Sequence, residues 1–351
     1  MKVVIAGREL GPAQPPLIIA ELSANHGQQL ERALALVDAA AAAGADAIKL
    51  QTYTADSITL DVDSPDFRIG EANSLWAGET LYQLYQRAAT PYEWHQPLFE
   101  RARHHGMLAF SSPFDEAAID FLEDLAVPCY KIASFELTHL PLIRAVARTG
   151  KPIIMSTGMA SLAEIEAAVA CARGAGNPQI ILLKCTSSYP AAVSDSNLRT
   201  LPQLAATFGC LAGLSDHTLG VGAAIAATAL GAVAIEKHLV LSRSDDVADA
   251  AFSLEPHELA QLVRGCRDAH AALGQVRFGG SSGEQANKKY RRSIYIAADL
   301  PAGAPLTPAN IKVVRPGFGL APAHYEAVLG RRLRVAASKG TALSWELLEP
   351  L

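Results

Sequence analysis

Short apolar runs alternate with amphipathic helical stretches from Leu17 onward, at intervals of roughly 20 to 40 residues, and this alternation constrains the fold most strongly. It is the pattern of βα units, in which each helix returns the chain so that the next strand lies parallel to the last. Eight strands, each followed by a helix or a loop, predict a closed (β/α)8 barrel of the TIM type rather than an open doubly wound sheet. In chain order the predicted strands are LIIAE ending at Glu21, AIKLQ at Gln51, MLAFSS at Ser112, CYKIAS at Ser134, PIIMS at Ser156, IILLK at Lys184, LAGLS at Ser215 and AVAIEKH at His238.

Start and stop signals flank several of the intervening helices. Apolar residues between Leu30 and Ala41 recur at helical spacing, and Gly44 closes that helix. The TPYE motif predicts an N-cap at Thr90, with a proline at the first helical position. Ser161 and Glu164 form a capping box ahead of a further helix. These signals support the alternation of strands and helices.

The sequence changes character after Gly274. Residues 275–290 are polar and rich in Gly and Ser, which predicts a linker. The segment 291–351 offers only short apolar runs separated by tight turns, so it predicts a small, loop-rich β domain. The predicted organisation is therefore a barrel over residues 1–274, a linker over 275–290 and a small domain over 291–351.

Composition places the chain among ordinary globular proteins. Half of its 351 residues are apolar and its formal charge is −5. Apart from KKYRR at residues 288–292 the chain has no basic run, which argues against nucleic acid as its main partner. Five cysteines without CxxC spacing predict free thiols in a reducing compartment, so the predicted location is the cytoplasm. The uncharged stretch from Leu219 to Ile235 is broken by Gly231, which favours a buried helix and strand over a membrane span.

Polar residues end nearly all of the predicted strands, although the strands themselves are apolar. In barrels of this kind the active site lies at the C-terminal ends of the strands. Because side chains alternate along a strand, the sequence predicts which polar residues face the barrel mouth. A single strand-end serine can equally cap the next turn, but so many polar groups at one end favour a functional site. The residues expected to face the mouth are Glu21, Lys49, Gln51, Ser112, Lys131, Ser156, Ser215, His217, Glu236 and His238.

Two lysines, Lys49 and Lys131, lie inside otherwise apolar strands. An unpaired ammonium there would cost several kcal/mol, so each lysine needs an anion. An internal salt bridge would satisfy them, but two lysines together with several hydroxyls favour a phosphate or carboxylate ligand. The chain has no GxxxxGK[ST] loop, so a nucleotide is not indicated.

The stretch GAVAIEKHLVLS, residues 231–242, places three ionisable residues at the end of the last predicted strand. Alternation puts Glu236 and His238 on one face and Lys237 on the other. His217, in SDHTLG, ends the neighbouring strand. Two imidazoles at adjacent strand ends can bind one divalent cation, although hydrogen-bonding histidines fit the spacing equally well. The lack of a thiolate beside them favours Mn²⁺ or Mg²⁺ over structural zinc.

Taken in order, the motifs at these strand ends resemble those of the sialic acid synthase family, over nearly the whole chain. The C-terminal part is similar to the SAF or antifreeze-like domain that follows the barrel in that family. The motifs are IIAELSANH, AIKLQTYTAD, SSPFD, KIASFE, MSTGMAS, LLKCTSSYP, GLSDHTLG, IEKH and VRPGFGL.

The resemblance implies an enzyme that condenses phosphoenolpyruvate with an amino-sugar aldose, releases phosphate by C–O cleavage and uses Mn²⁺ or Mg²⁺. The phosphoenolpyruvate site implied by the resemblance consists of Lys49, Ser112, Lys131, Ser134, Ser156, Ser187 and Ser215. The implied sugar-binding residues are Gln51, Tyr189, Asp249 and Arg315. The implied catalytic residues are Glu21, Glu236 and Asp249, with His217 and His238 as metal ligands. Glu21 is the first candidate for moving protons.

The same resemblance implies a homodimer. Arg315, in VRPGFG, matches an arginine that the SAF domain of one subunit inserts into the active site of its partner. The expected assembly is therefore a homodimer with swapped C-terminal domains.

Departures from the sialic acid pattern bear on the choice of sugar. Ser187 stands where sialic acid synthases typically carry Asn, and SANHGQQ differs from their GVNHNG pattern. Motifs such as QTYTADSITL and TPYEWH resemble the pseudaminic acid branch, whose acceptor is 2,4-diacetamido-2,4,6-trideoxy-β-L-altropyranose. The methyl group and second acetamido group of this sugar predict a more apolar pocket. Phe67, Trp76 and Tyr82, in the long insertion at residues 55–89, are the candidate wall.

Three other interpretations remain open at this point. A synthase for another nonulosonic acid, legionaminic or N-acetylneuraminic acid, would share the motifs. A non-catalytic ice-binding protein would use the SAF-like domain but would have no need of the polar groups in the barrel mouth. An aldolase with a Schiff base at Lys131 or Lys184 would not need phosphoenolpyruvate.

Overall fold

The computed structural model describes residues 2–70 and 76–350. The chain forms two compact units, Met1–Gly274 and Gln275–Leu351. None of the helices within the described ranges has the length and apolar character that crossing a bilayer requires.

Parallel strands of the first unit close into a barrel, which contains eight strands within the part of the chain that the structure describes. Each strand pairs with the next in sequence, and β10 pairs with β3 to close the ring. The predicted (β/α)8 fold is therefore confirmed. A hairpin that the sequence did not reveal precedes the barrel, formed by β1 (Val3–Ile5) and β2 (Arg8–Leu10). The barrel strands are β3 (Leu17–Glu21), β4 (Ala47–Thr52), β5 (Leu108–Pro113), β6 (Tyr130–Ile132), β7 (Ile153–Ser156), β8 (Ile180–Cys185), β9 (Leu211–Asp216) and β10 (Ala234–His238).

Helices follow the strands and bury their apolar sides in the same core as the strand residues. Every residue of β3 is buried, as expected for a parallel strand with a filled barrel on one side and helices on the other. The first barrel helix ends at Gly44, which adopts φ +85°, and the capping box of Ser161 and Glu164 is present. The helices are α1 (Leu30–Ala43), α2 (Ala55–Ile58), α3 (Leu81–Ala88), α4 (Tyr92–His104), α5 (Glu116–Asp124), α6 (Leu140–Arg148), α7 (Leu162–Gly174), α8 (Thr200–Phe208), α9 (Gly222–Ala229) and α10 (Pro256–Leu273).

Two local predictions were wrong. The strand predicted as CYKIAS pairs with its neighbour only to Ile132, and Ser134 begins a 3₁₀ turn, Ser134–Glu136. Helix α4 has Pro91 rather than Thr90 as its N-cap residue. The Thr90 hydroxyl instead hydrogen-bonds Nε2 of His26 at 3.2 Å, because that side chain is buried among tertiary partners. In both places a tertiary contact decides the local conformation.

Lys237 lies on the opposite face of β10 from Glu236 and His238, as alternation predicts. Its side chain is fully buried, and Nζ donates to Oδ2 of Asp216 at 2.7 Å and to the carbonyl of Thr218. In register, Lys237 pairs with Asp216 of β9. This ion pair satisfies a lysine that would otherwise be costly to bury.

The second unit has its own small apolar core, which includes Ile294, Leu306, Val328 and Leu343. Its regular elements are short, and the antiparallel strands β11 and β12 form a two-stranded sheet. They are α11 (Ser282–Gln285), β11 (Ser293–Ile296), β12 (Ile311–Val314) and α12 (Tyr325–Val328).

Candidate active site

A cavity of about 670 Å³ opens where the barrel strands end. Its inner wall consists of polar strand-end residues, and its outer wall comes from the insertion between β4 and α4. Glu21 and Ser112 do not line the cavity, but each contacts Lys49, which does. The predicted mouth residues that line it are Lys49, Gln51, Lys131, Ser156, Ser215, His217, Glu236 and His238.

Four buried charged groups converge on the cavity floor. Lys49 Nζ contacts Oε2 of Glu21 and lies 3.7 Å from Oε1 of Glu236. The same Glu236 oxygen lies 3.8 Å from Nζ of Lys131. All four side chains are at most 5% exposed. Both lysines thus have carboxylates of the protein as partners. The sequence had predicted such internal ion pairs as the alternative to a bound anion.

Burial and neighbouring charges shift the pKa values of these four groups in different directions. Burial opposes the charged form of Lys49, but Glu21 and Glu236 raise its pKa. Burial raises the pKa of Glu21 to about 6, against the opposing effect of Lys49. Burial also disfavours the charged form of Glu236, but Lys131 and Lys49 together hold its pKa below the ordinary value. Burial lowers the pKa of Lys131, although Glu236 opposes this. Near neutral pH the cluster therefore contains one carboxyl group that can exchange a proton beside another that stays ionised.

Hydroxyl groups surround the two lysines. Lys131 Nζ donates to Oγ of Ser156 at 2.7 Å, and Lys49 Nζ donates to Oγ of Ser112 at 3.4 Å. Ser215 donates to Oε1 of Glu236 at 3.3 Å. Lysines and hydroxyls in this arrangement are donors suited to a phosphate or a carboxylate.

Gly158 brings two more serines together after β7. Its N–H donates to Oγ of Ser134 at 3.1 Å. A Cβ added at Gly158 would lie 2.1 Å from Oγ of Ser187 and 2.7 Å from Oγ of Ser134. Only the absence of a side chain at Gly158 allows these serines, from the loops after β6 and β8, to approach each other.

The rings of His217 and His238 lie side by side, with centroids 5.3 Å apart. His217 Nδ1 donates to the carbonyl of Thr186 at 2.9 Å, which leaves Nε2 unprotonated in the neutral ring. Burial holds the pKa of His238 well below its ordinary value, and its Nδ1 has no hydrogen-bond partner among the described residues. It lies 3.7 Å from Oδ2 of Asp249.

Burial opposes the charged form of His217, but contact with Cys185 raises its pKa. Two imidazoles at adjacent strand ends, one of which has a buried nitrogen without a hydrogen-bond partner among the described residues, could bind a divalent cation in their neutral forms. Within residues 2–70 and 76–350, no group of three or more His, Cys, Asp or Glu side chains is placed to hold a metal ion. The protein could therefore supply two ligands, and water or substrate oxygens would have to complete the coordination.

The predicted sugar residues of the barrel unit surround the same cavity. Gln51 Nε2 donates to Oε1 of Glu21 at 3.3 Å. The ring of Tyr189 lies 4.5 Å from that of His217 and 6.1 Å from that of Trp76. Asp249 lies beyond β10 and lines the cavity as well. Arg315 belongs to the second unit, where it is exposed.

The insertion supplies an apolar wall, although only one of the three predicted aromatic residues takes part. Trp76 lines the cavity, and its Nε1 donates to the carbonyl of Ala248 at 3.2 Å. Phe67 and Tyr82 do not line it, and the Tyr82 hydroxyl donates to Asp56 instead, at 3.2 Å. The other apolar side chains that the insertion contributes to the cavity are those of Ile58, Ile69, Leu81, Leu84, Tyr85 and Ala88. The insertion also contributes two charged residues, Asp66 and Arg68.

Three cavity residues were missed by the sequence reasoning. Glu136 follows the early end of β6, where strand alternation no longer applies; burial raises its pKa to about 7, and its Oε2 has no hydrogen-bond partner among the described residues. Cys185 ends β8, and although burial opposes ionisation, contact with His217 lowers its pKa to about 7. Its Sγ lies 3.9 Å from Nδ1 of His217, so the expectation that no thiol lies beside the two histidines was wrong. Ser23 follows β3 in a left-handed conformation, with φ +44°. A polar residue within two positions of a predicted strand end was the signal common to all three.

Comparison with known proteins agrees with this fold. Residues 36–278 match the NeuB family and residues 291–349 match the SAF domain. The chain is 44% identical over 326 residues to pseudaminic acid synthase from Campylobacter jejuni, covering 93% of this chain and 94% of that protein. It is 36% identical over 345 residues to N,N'-diacetyllegionaminic acid synthase from Legionella pneumophila, covering 97% and 96%.

A solved structure is similar as well. It is N-acetylneuraminic acid synthetase from Leptospira borgpetersenii in complex with citrate, with a TM-score of 0.71 and 33% identity, covering 82% of this chain and 95% of that one. The similarity in sequence and in fold extends over most of the chain and includes both units. The chain therefore belongs to the NeuB family, and a SAF domain follows its barrel.

Proposed function

We propose that the protein is a pseudaminic acid synthase. It condenses phosphoenolpyruvate with 2,4-diacetamido-2,4,6-trideoxy-β-L-altropyranose and water, giving pseudaminic acid and phosphate. The observation that carries the reaction type is the buried cluster of two lysines and two glutamates at the cavity floor. The higher identity to the pseudaminic acid synthase than to the legionaminic acid enzyme, 44% against 36%, supports the choice of sugar.

Lys49 and Lys131 are the groups that would hold phosphoenolpyruvate. Both are buried and both line the cavity, so a phosphate or carboxylate that binds there meets them without competing water. Ser156 already accepts a hydrogen bond from Lys131, and Gly158 holds Ser134 nearby. Fixing the phosphate at these donors would align C3 of phosphoenolpyruvate with the aldehyde carbon of the open-chain sugar.

The reaction needs a new carbon–carbon bond and three proton movements. The electron pair of the C2=C3 bond attacks the aldehyde carbon, and the aldehyde oxygen takes up a proton. Water then adds at C2 and gives up a proton. Finally the C2–O bond to the phosphate breaks as the new C2 hydroxyl becomes the C2 carbonyl, and the proton of that hydroxyl passes to the departing phosphate. Glu21, with a pKa of about 6, can both accept and return a proton near neutral pH. A divalent cation held by His217 and His238 would polarise the aldehyde carbonyl.

The outer cavity wall supports a sugar that is partly apolar. Ile58, Leu81 and Leu84 face the cavity from the insertion, and Tyr85 and Trp76 extend this surface. Such a wall suits the C6 methyl group and the acetamido methyl groups of the altrose derivative. A C6 hydroxyl would gain less from the apolar part of this wall than a methyl group does.

Phosphate release tests the proposed reaction directly. The enzyme should release phosphate from phosphoenolpyruvate with the altrose derivative much faster than with N-acetylmannosamine, and mass spectrometry should identify the product. A preference for N-acetylmannosamine, or product formation only from a legionaminic acid precursor, would assign the protein to the other synthases. Trapping of pyruvate by borohydride without phosphate release would indicate the Schiff-base aldolase instead. Thermal hysteresis without turnover would indicate the ice-binding alternative.

We propose Mn²⁺ or Mg²⁺ as the cofactor. EDTA should abolish phosphate release, and either ion should restore it. Titration calorimetry with Mn²⁺ alone should show binding to the wild type and much weaker binding to His238→Ala. His257→Ala, at an exposed position outside the cavity, provides the matched control. Full turnover after EDTA treatment would contradict a metal-dependent reaction.

We further propose a homodimer in which Arg315 acts on the partner's cavity. Two observations support it: Arg315 and Phe318 are exposed on the second unit, and Phe135, Met159 and Leu219 form an exposed apolar rim on the barrel loops. Mixing and reannealing inactive Arg315→Ala with inactive Glu21→Gln should restore about a quarter of wild-type turnover, because half of the dimers are mixed and each has one complete site. No recovery in demonstrated mixed dimers would contradict action across the dimer.

We also propose a cytoplasmic location. The five cysteines are all free thiols, which suits a reducing compartment. Fractionation of cells that express the protein at natural levels would test this.

A further inference from the structure

Ser23 connects three predicted site residues that come from different elements. Its N–H donates to Oε1 of Glu21 at 3.0 Å, and its hydroxyl donates to Oδ2 of Asp249. Gln51 Nε2 in turn donates to Oγ of Ser23 at 3.3 Å. Ser23 is 5% exposed and lines the cavity. One short side chain therefore joins the ends of β3 and β4 to the loop after β10.

The backbone of Ser23 adopts a conformation that serine does not favour. Its φ of +44° lies in the left-handed region, where a Cβ atom is crowded and glycine is the usual residue. A side chain in such a position is retained when it makes contacts that glycine cannot make. Here those contacts are the hydrogen bonds to Asp249 and from Gln51.

The network also determines which way the amide of Gln51 points. The single proton of the Ser23 hydroxyl is donated to Asp249, so Oγ can only accept a hydrogen bond from Gln51. Oε1 of Glu21 is an acceptor as well, and Gln51 Nε2 donates to both groups. The amide oxygen of Gln51 must then point away from them, and within the described ranges no residue donates a hydrogen bond to it.

We propose that Ser23 is a positioning residue that sets the specificity for the aldose, a proposal that rests on the proposed synthase function. By holding the Gln51 amide in one orientation, it presents the amide oxygen of Gln51 as an acceptor for an N–H or O–H group of the sugar. By holding Asp249, it fixes a second acceptor on the same side of the cavity.

The Ser23→Gly variant tests this role, because glycine tolerates the backbone conformation and removes only the hydroxyl. The KM for the altrose derivative should rise about tenfold, because the variant loses the hydrogen bonds that hold Gln51 and Asp249 in place. The KM for phosphoenolpyruvate should be unchanged. The ratio of kcat/KM for the altrose derivative to that for N-acetylmannosamine should fall. Ala126→Gly is the matched control, since Ala126 is also left-handed, at φ +53°, but lies after α5 and outside the cavity.

Unchanged KM values and an unchanged ratio in Ser23→Gly would overturn the proposal, and so would an equal rise in the KM of both substrates. If the wild type releases no phosphate with any aldose, the proposed function fails, and crystal structures decide the role of Ser23 separately. In that case Ser23→Gly should show a rotated Gln51 amide and a displaced Asp249 carboxylate. Identical positions of both groups in the two crystals would overturn the role of Ser23.

Discussion

Lys49 and Glu21 form an ion pair that is buried from solvent. The Lys49 side chain is 3% exposed and the Glu21 side chain is 0% exposed. The two residues are register partners on neighbouring strands β3 and β4, so the barrel itself brings their side chains together. Burial raises the pKa of Glu21 to about 6 in spite of this ammonium group. A carboxyl group that is paired with an ammonium group and has a pKa of about 6 can take up and release a proton near neutral pH. Glu21 is therefore well placed to move protons.

Glu21→Gln should therefore reduce turnover by about 100-fold or more while it preserves most of the affinity for phosphoenolpyruvate. The affinity should persist because Lys49 keeps Glu236 as a partner at 3.7 Å. Phosphate release and calorimetric binding of phosphoenolpyruvate measure the two effects. Glu123→Gln, which removes a surface carboxylate bonded to Lys151, is the control and should leave turnover unchanged. Near-normal turnover of Glu21→Gln would refute its role in proton transfer.

Two buried lysines on opposite sides of the barrel wall should respond differently to replacement by methionine. Lys131→Met should raise the KM for phosphoenolpyruvate at least about tenfold, because it removes a charged donor from the cavity. Lys237→Met should lower the free energy of unfolding by about 3 to 5 kcal/mol, because Asp216 would be left buried without its partner. Urea unfolding and steady-state kinetics on both variants make the comparison. The same loss of stability in both, with no change in the KM of Lys131→Met, would contradict the assignment.

Gly158→Ala should weaken phosphoenolpyruvate binding without unfolding the protein. The added methyl group would meet the hydroxyls of Ser134 and Ser187 at less than 3 Å and force them apart. Gly174→Ala is the control, because nothing lies within 4 Å of the added atom there. The KM for phosphoenolpyruvate should rise in the first variant and not in the second. If calorimetry finds equal affinities in both, the two serines take no part in binding.

The buried His95 should make the protein less stable in mild acid. Burial lowers its pKa to about 4, and its Nε2 and Nδ1 are occupied by Thr52 at 2.8 Å and by the carbonyl of Pro91 at 3.2 Å. The unfolded chain binds a proton near pH 6.5, whereas the folded protein does so only near pH 4. Stability is therefore unaffected above pH 6.5 and falls between these values, by up to about 3 kcal/mol.

Urea unfolding at pH 7 and pH 4.5 measures this loss, which should be smaller in His95→Gln than in the wild type. Some loss should remain, because burial also lowers the pKa of His26 to about 4. His257→Gln, at an exposed position, should behave like the wild type. An identical loss in His95→Gln would show that the ring is not responsible.

The fold could be predicted because its signals are local. Each barrel strand is a short apolar run, and glycines such as Gly44 mark the helix ends, so the number and order of the strands followed from the sequence. The alternation of side chains along β10 then correctly placed Lys237 on the opposite face from Glu236 and His238. This rule predicted side-chain direction wherever a strand continued to its predicted end.

The remainder depended on contacts between distant residues. Ser134 and Glu136 lie in a turn because the pairing of β6 stops early, and nothing in CYKIASFE signals that stop. Lys49 and Glu21 meet because of the register in which β3 pairs with β4. The two residues are almost thirty positions apart in the chain, so the local sequence does not reveal that register. The left-handed conformation of Ser23 could not be predicted, because serine rarely adopts it without tertiary support.

The ion pair of Lys237 and Asp216 ties β9 to β10 on the outer face of the barrel. On β9, Asp216 stands between two residues of the candidate site, and on β10 Lys237 does the same. Their bond on the outside of the barrel therefore joins the two strand ends that carry these four side chains, and the bond from Lys237 to the carbonyl of Thr218 holds the start of the loop after β9 as well. The insertion between β4 and α4, which lines the cavity, is far from both strands in the sequence. Redesign of the acceptor specificity is thus best directed at the insertion, with these two strands left intact.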